Sequence, residues 1–122
     1  GANYGWPAIT YGVDYSGAII SDRTHAEGME QPVIQWTPSI APCGMAFSQG
    51  DAFPRWRGDL FVGALKFTHL RRLELEGDQV VHQEELLRDR SRRIRHVAVG
   101  PGGRIHVLTD HADGELWRLE PR

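Results

Sequence analysis

The sequence predicts an all-β chain of about two β-propeller blades preceded by a long loop. Three observations carry that expectation. Short apolar stretches separated by turn residues follow Pro32, no stretch sustains a helical period, and a pattern returns after ~45–50 residues, the length of a four-stranded blade. The return is visible where Gly44-Met45-Ala46-Phe47, with its later Gly58-Asp59-Leu60-Phe61-Val62, resembles Val97-Ala98-Val99 with its later Gly103-Arg104-Ile105-His106-Val107.

Residues 1–31 are rich in glycine, aromatic and turn residues and hold neither period, so they are expected to form a loop that needs cross-linking from something other than a strand ladder. A bound cation would supply it. Asp14 and Glu30 offer hard carboxylate oxygens and the glycine turns free carbonyls, the donor set calcium prefers; the alternative is two solvated loop acids. A short run at 33–36 reads as strand-like, and 37–42 is a proline-bounded connector. Strands are then expected over 44–48, 59–65, 69–76 and 80–87, with turns at 49–51, 66–68 and 76–78. In the third of these, Leu73 and Leu75 alternate with Arg72, Glu74 and Glu76, which places the charged residues on the solvent face. Residues 84–87 could pass for a helical turn but are too few to stand as a helix.

Three further strands follow over 94–99, 104–109 and 115–119, linked by turns at 101–103 and 112–114. The domain expectation is one partial propeller over 1–122: a loop at 1–31, a four-stranded blade with its lead-in at 32–90, and three strands of a final blade at 91–122. A three-stranded sheet leaves an open edge, and two sheets do not close a ring. Six blades would need at least ~250 residues, so the chain is expected to be the C-terminal part of a larger protein.

The bulk numbers agree. A length of 122 residues, 40% hydrophobic and 25% charged, is that of one globular domain. The net charge of −2 and pI near 6.3 argue against nucleic-acid binding, the one basic run at 88–95 being interrupted by Asp89. No apolar run approaches the ~20 residues of a spanning helix. Cys43 is the single cysteine, so no intrachain disulfide forms. Gly1 follows no Met and no signal-like start, as expected of a piece of a longer chain.

Arg93 and Arg95, spaced i, i+2 at the start of a strand, leave the same face. Each guanidinium is a planar fork of donors suited to carboxylates, so the pair either grips an anionic ligand or is solvated on an edge strand.

Several motifs together resemble one family: Asn3-Tyr4-Gly5-Trp6-Pro7, residues 39–45, the run from Phe53 through Gly63-Ala64-Leu65-Lys66, and Arg93-Ile94-Arg95 with Gly100-Pro101-Gly102-Gly103 and Val107-Leu108-Thr109-Asp110. They resemble the soluble pyrroloquinoline quinone (PQQ) dependent glucose/sorbosone dehydrogenases, most closely the aldose sugar dehydrogenase branch. The resemblance spans nearly the whole chain. It implies a six-bladed propeller whose last blade is completed by an N-terminal strand, and a PQQ- and calcium-dependent oxidation of aldoses to lactones. By the resemblance, Arg93, Arg95 and Lys66 match the family's cationic cofactor ligands, and Trp36 and Ser39 fall where the family lines the cofactor pocket; Trp36 is equally placed as an ordinary core aromatic. PQQ is a planar polyanion, so a forked cation pair would orient it and Lys66 would add a compact charge. The resemblance also implies a calcium site in the first loop, with Tyr4 and Gly12 binding through backbone oxygen and Asp14 and Glu30 through carboxylate.

The chain departs from the family pattern at His96, where an aspartate usually follows the second arginine, and at Cys43, where serine is common. The family's base histidine lies on an earlier blade, and no motif carrying it is in this chain. The spacings of His25, His69, His82, His96, His106 and His111 suggest no ligand pair, and His106, inside an apolar strand, reads as a packed, hydrogen-bonded imidazole. The fragment alone is therefore expected to be inactive, its parent taking an aldose and an electron acceptor and residing in the periplasm or outside the cell. The alternatives are a non-catalytic extracellular propeller that binds protein or carbohydrate, and a self-standing domain that covers its edges by dimerising.

Overall fold

The computed structural model describes all residues 1–122. It is all-β, with seven strands, three short 3-10 turns and no α-helix. The chain divides into two compact units, residues 1–39 and 40–122.

The second unit carries every strand. Strands β1 (Pro42–Phe47), β2 (Leu60–Ala64), β3 (His69–Glu76) and β4 (Gln79–Leu86) form an antiparallel sheet in chain order. Strands β5 (Ile94–Val99), β6 (Ile105–Thr109) and β7 (Leu116–Arg118) form a second. The period-two pattern is clearest in β6, where Ile105, Val107 and Thr109 are buried while His106 and Leu108 face the other way. His106 is half-buried, with Nδ1 3.1 Å from the Arg104 carbonyl. Residues 84–86 continue β4, and the run at 33–36 is no strand: it belongs to the irregular lead-in of the first unit and pairs with nothing in a ladder.

The core lies between the sheets, where Phe61 and Leu70 meet Ile94, Val97, Ile105 and Val107, all at most 2% exposed. Each such side chain contributes about 1.5–3 kcal/mol through burial. The first strands of the two sheets, β1 and β5, pack side by side, and glycine makes this possible. A Cβ on Gly44 would lie 2.9 Å from His96 Cα, and one on Gly63 only 2.5 Å from the Cys43 carbonyl oxygen and 2.8 Å from Ile94 Cγ2. Beyond the far ends of the same strands Gly50 and Gly103 meet back to back, with a Gly103 Cβ falling 2.2 Å from the Gln49 carbonyl oxygen.

Both inner strands carry one extra residue. In β5, Ile94 pairs with Thr109 and His96 with Leu108, so Arg95 is a bulge; β1 has a matching irregularity between Pro42 and Met45. The bulge explains why Ile94 and Val97, three apart, are both buried in one strand.

Arg72 overturns the solvent-face expectation. It is 8% exposed, donates from NH1 to Asp59 and from Nε to Glu84, and lies 5.6 Å from the Trp56 ring centroid. Three strands are thereby tied by one ion cluster, and full pairing is what makes a buried guanidinium tolerable.

His69 is also fully buried. Its Nδ1 lies 3.2 Å from the Phe67 carbonyl and its Nε2 accepts from Arg71 Nε at 3.3 Å, a network that assigns the neutral Nδ1–H tautomer. Burial holds its pKa below the ordinary 6.5. The unfolded chain therefore binds a proton that the folded one refuses, so His69's stabilising contribution is complete above pH 6.5 and is lost as pH falls through the lowered value. Thermal melts between pH 7.5 and 5 should show a steeper decline for the native protein than for His69→Gln; parallel curves would count against it.

The first unit is held by its own cross-links. Gly5 N donates to Asn3 Oδ1, Ile9 N to the Gly5 carbonyl, Thr10 N to the Arg23 carbonyl and Glu30 N to the Asn3 carbonyl. Ile9, 4% exposed, closes over Gly5, where a Cβ would meet Ile9 at 2.3 Å and Met29 at 2.6 Å and the φ of +81° also favours glycine. These bonds cross-link the loop within the unit.

Candidate cofactor-binding site

The start of β5 and the end of β6 build a cationic clamp. Asp110 N donates to the Arg93 carbonyl at 2.8 Å, extending the hairpin one residue past Thr109 and placing residues 93 and 110 opposite each other. The Asp110 side chain then takes both arginines: Arg93 Nε lies 2.9 Å and an Arg95 terminal nitrogen 3.0 Å from the same oxygen, Oδ2. The two arginine side chains are half-exposed, at 52% and 50%. Two charges of one sign are thus bridged by one of the other, leaving the group net positive and open to solvent. The hydrogen bonds from Arg95 and then Arg93 hold the Asp110 carboxyl below its usual range, so it stays ionised.

Arg95 has a second partner. Its NH1 approaches Cys43 Sγ at 3.6 Å, which ties the bulge of β5 to the bulged start of β1. Lys66 reaches the same rim: Lys66 N donates to the Ile40 carbonyl and Leu65 N to the Ala41 carbonyl, just before Cys43 in the chain. Its side chain is exposed, with Nζ 5.2 Å from the Phe67 ring centroid. Lys66 and Arg95 are therefore anchored within about 10 Å of chain of each other, at Ile40 and Cys43, and Arg93 starts the same strand as Arg95.

The remaining expected ligands are in the first unit. Trp36 is half-buried and Ser39 exposed, in the lead-in that ends this unit. Tyr4 and Glu30 line one hollow of about 200 Å³ together with Trp6, Thr10, Tyr11 and Gln31. Gly12 and Asp14 follow outside that lining, and Asp14 closes its own turn: Oδ1 accepts from Tyr15 N at 2.7 Å and Oδ2 from the Ser16 hydroxyl at 2.9 Å. No cluster of three or more His, Cys, Asp or Glu side chains suited to a metal is present. Of the four expected ligands the hollow collects two.

Asp110 is the residue that sequence reasoning overlooked. His96, one residue beyond Arg95, removes the adjacent carboxylate, and the structure places a carboxylate on the arginines from across the hairpin instead.

Known proteins resemble this chain over its whole length. The glucose/sorbosone dehydrogenase family profile matches residues 1–118. The aldose sugar dehydrogenase YliI of Escherichia coli strain K12 is 45% identical over 124 aligned positions, taking in 100% of this chain and 33% of that protein. Two solved structures superpose over the whole chain. A glucose dehydrogenase does so with a TM-score of 0.95 at 48% identity, and the apo-form of the soluble aldose sugar dehydrogenase of Escherichia coli with 0.93 at 44%; in each, 36% of the solved chain is covered. The chain thus spans about a third of its relatives' length, and its two sheets have the fold of their propeller blades.

Proposed function

The chain belongs to the glucose/sorbosone dehydrogenase family, and from that premise we propose that it supplies the anion clamp of a PQQ site in a protein that oxidises aldoses to lactones. The observation that carries this reading is the pairing of Arg93 and Arg95 through one Asp110 oxygen at an exposed strand end, with the backbone of Lys66 anchored at the same end of the sheets. That donor set fits a planar tricarboxylate: forked guanidinium groups fix the orientation of carboxylates, and an ammonium adds a compact charge. When bound, PQQ supplies a two-electron acceptor for the hydride leaving the sugar. Cationic side chains near it favour the charge that develops on reduction. Trp36 and Ser39 are proposed as wall residues, a role that rests on the resemblance. The segment alone is proposed to be inactive, since it covers only a third of its relatives.

For calcium the fit is partial. Tyr4 and Glu30 share a hollow, whereas Gly12 lies outside its lining and the Asp14 oxygens already serve their own turn. We place the ion at Tyr4 and Glu30, with Gly12 and Asp14 completing the set.

Absorbance titration of PQQ into the full-length protein that carries this segment, with calcium present, tests both points. Arg93→Ala and Arg95→Ala should each weaken PQQ binding by about tenfold or more, as loss of a charge-assisted contact requires. Chelation of calcium should lower the melting temperature of the native protein but not of Glu30→Gln. Absence of PQQ uptake by the native protein would overturn the enzyme reading, and equal chelator effects would overturn the calcium placement.

A further inference from the structure

We propose that Asp110 is the positioning residue of this clamp: it holds Arg93 and Arg95 so that the terminal amino groups of Arg93 are presented together to one carboxylate of the cofactor. The inference rests on the proposed function, but its geometry is a property of the chain itself. Arg93 meets Asp110 through Nε, which leaves its two terminal amino groups as a parallel pair of donors, the arrangement a carboxylate takes best. Arg95 is committed differently, one terminal nitrogen to Asp110 and the other to Cys43. The two arginines thus have separate roles, Arg93 as the open fork and Arg95 as a brace between the sheets.

Three features make Asp110 a designed part of this rim rather than a chance neighbour. Its backbone is anchored to Arg93 by the 2.8 Å hydrogen bond, which fixes its Cα opposite that arginine. A single oxygen takes both arginines, which fixes their spacing. The bulge at Arg95 is what brings residue 110 opposite residue 93 at all.

A carboxylate beside an anion site repels the anion, so if Asp110 only contributed charge, its removal would tighten PQQ binding. If it positions the fork, its removal loosens binding although the site becomes more positive. In the full-length protein, Asp110→Asn should weaken PQQ affinity by about tenfold, the scale of a lost charge-assisted contact, with Asp110→Glu recovering part of the loss. Arg93→Lys should weaken binding more than Arg95→Lys. In the cofactor-free protein the Arg93 Nε–H resonance is expected to be shifted by its bond to Asp110 and to move towards the solvent-averaged position in Asp110→Asn. Native-like or tighter binding by a folded Asp110→Asn protein, or an unmoved Arg93 resonance, overturns the proposal while leaving the PQQ site standing. Failure of the native protein itself to bind PQQ is the separate outcome that removes the functional premise.

Discussion

Replacing Asp59 with alanine is expected to destabilise the protein by about 3–5 kcal/mol, the range for removing one partner of a buried ion pair. Asp59 is 5% exposed and Arg72 8%, and between them they join the start of β2 to the middle of β3. Without Asp59, Arg72 would keep only Glu84, whose side chain is 35% exposed, and the Trp56 ring. The cost is that of stranding the guanidinium, not of losing an attraction. Adding Arg72→Met to Asp59→Ala should therefore recover much of the loss, since a methionine packs without needing a partner. Urea unfolding midpoints of the two variants decide it; a double variant as unstable as the single would show that the pair itself stabilises the fold.

Gly63→Ala is expected to act on both fold and site. The added methyl would fall 2.5 Å from the Cys43 carbonyl oxygen and 3.1 Å from that of Ile94, and backbone does not yield as a side-chain tip does. Overpacking of this kind costs about 1–3 kcal/mol. Because Cys43 and Ile94 flank Arg95, the strain should also weaken PQQ binding, which a remote substitution would not do. Gly77→Ala is the control: its Cβ would meet open space, so only its φ of +60° resists the change. Equal loss of PQQ affinity in the two variants would break the link between Gly63 and the clamp.

Most of the strand order was legible because it rests on local signals: alternation in Ile105-His106-Val107-Leu108-Thr109 and turn chemistry at Gly77 and at Pro101-Gly102-Gly103. What the sequence concealed came from register and tertiary pairing. Counting outward from the 101–103 turn along the pairs Val99–Ile105 and Val97–Val107 would set Asp110 against Ile94 and His111 against Arg93. The extra residue at Arg95 shifts that register by one, and no local pattern announces a bulge. Arg72 was misjudged for a related reason: period two puts it across from Leu73 and Leu75, but β3 is buried on both faces along its first half, where Asp59, just before β2, and Glu84, on β4, wait on either side. The arginine pair itself was readable as residues but not as a clamp, because its binding partner stands 15 residues or more along the chain, at Asp110.

The glycine contacts between the sheets have a mechanical meaning. Gly44 touches the His96–Val97 backbone near the starts of the inner strands, and Gly50 touches Gly103 beyond their far ends. A plate that bears on its neighbour at two separated points does not rock about either. The angle between the sheets is therefore set at this seam by the thickness of bare backbone, and along the core by the packed side chains. A single methyl at Gly103 would act as a shim at one end of the seam, prising the far rim apart and tilting the arginine-bearing rim inward.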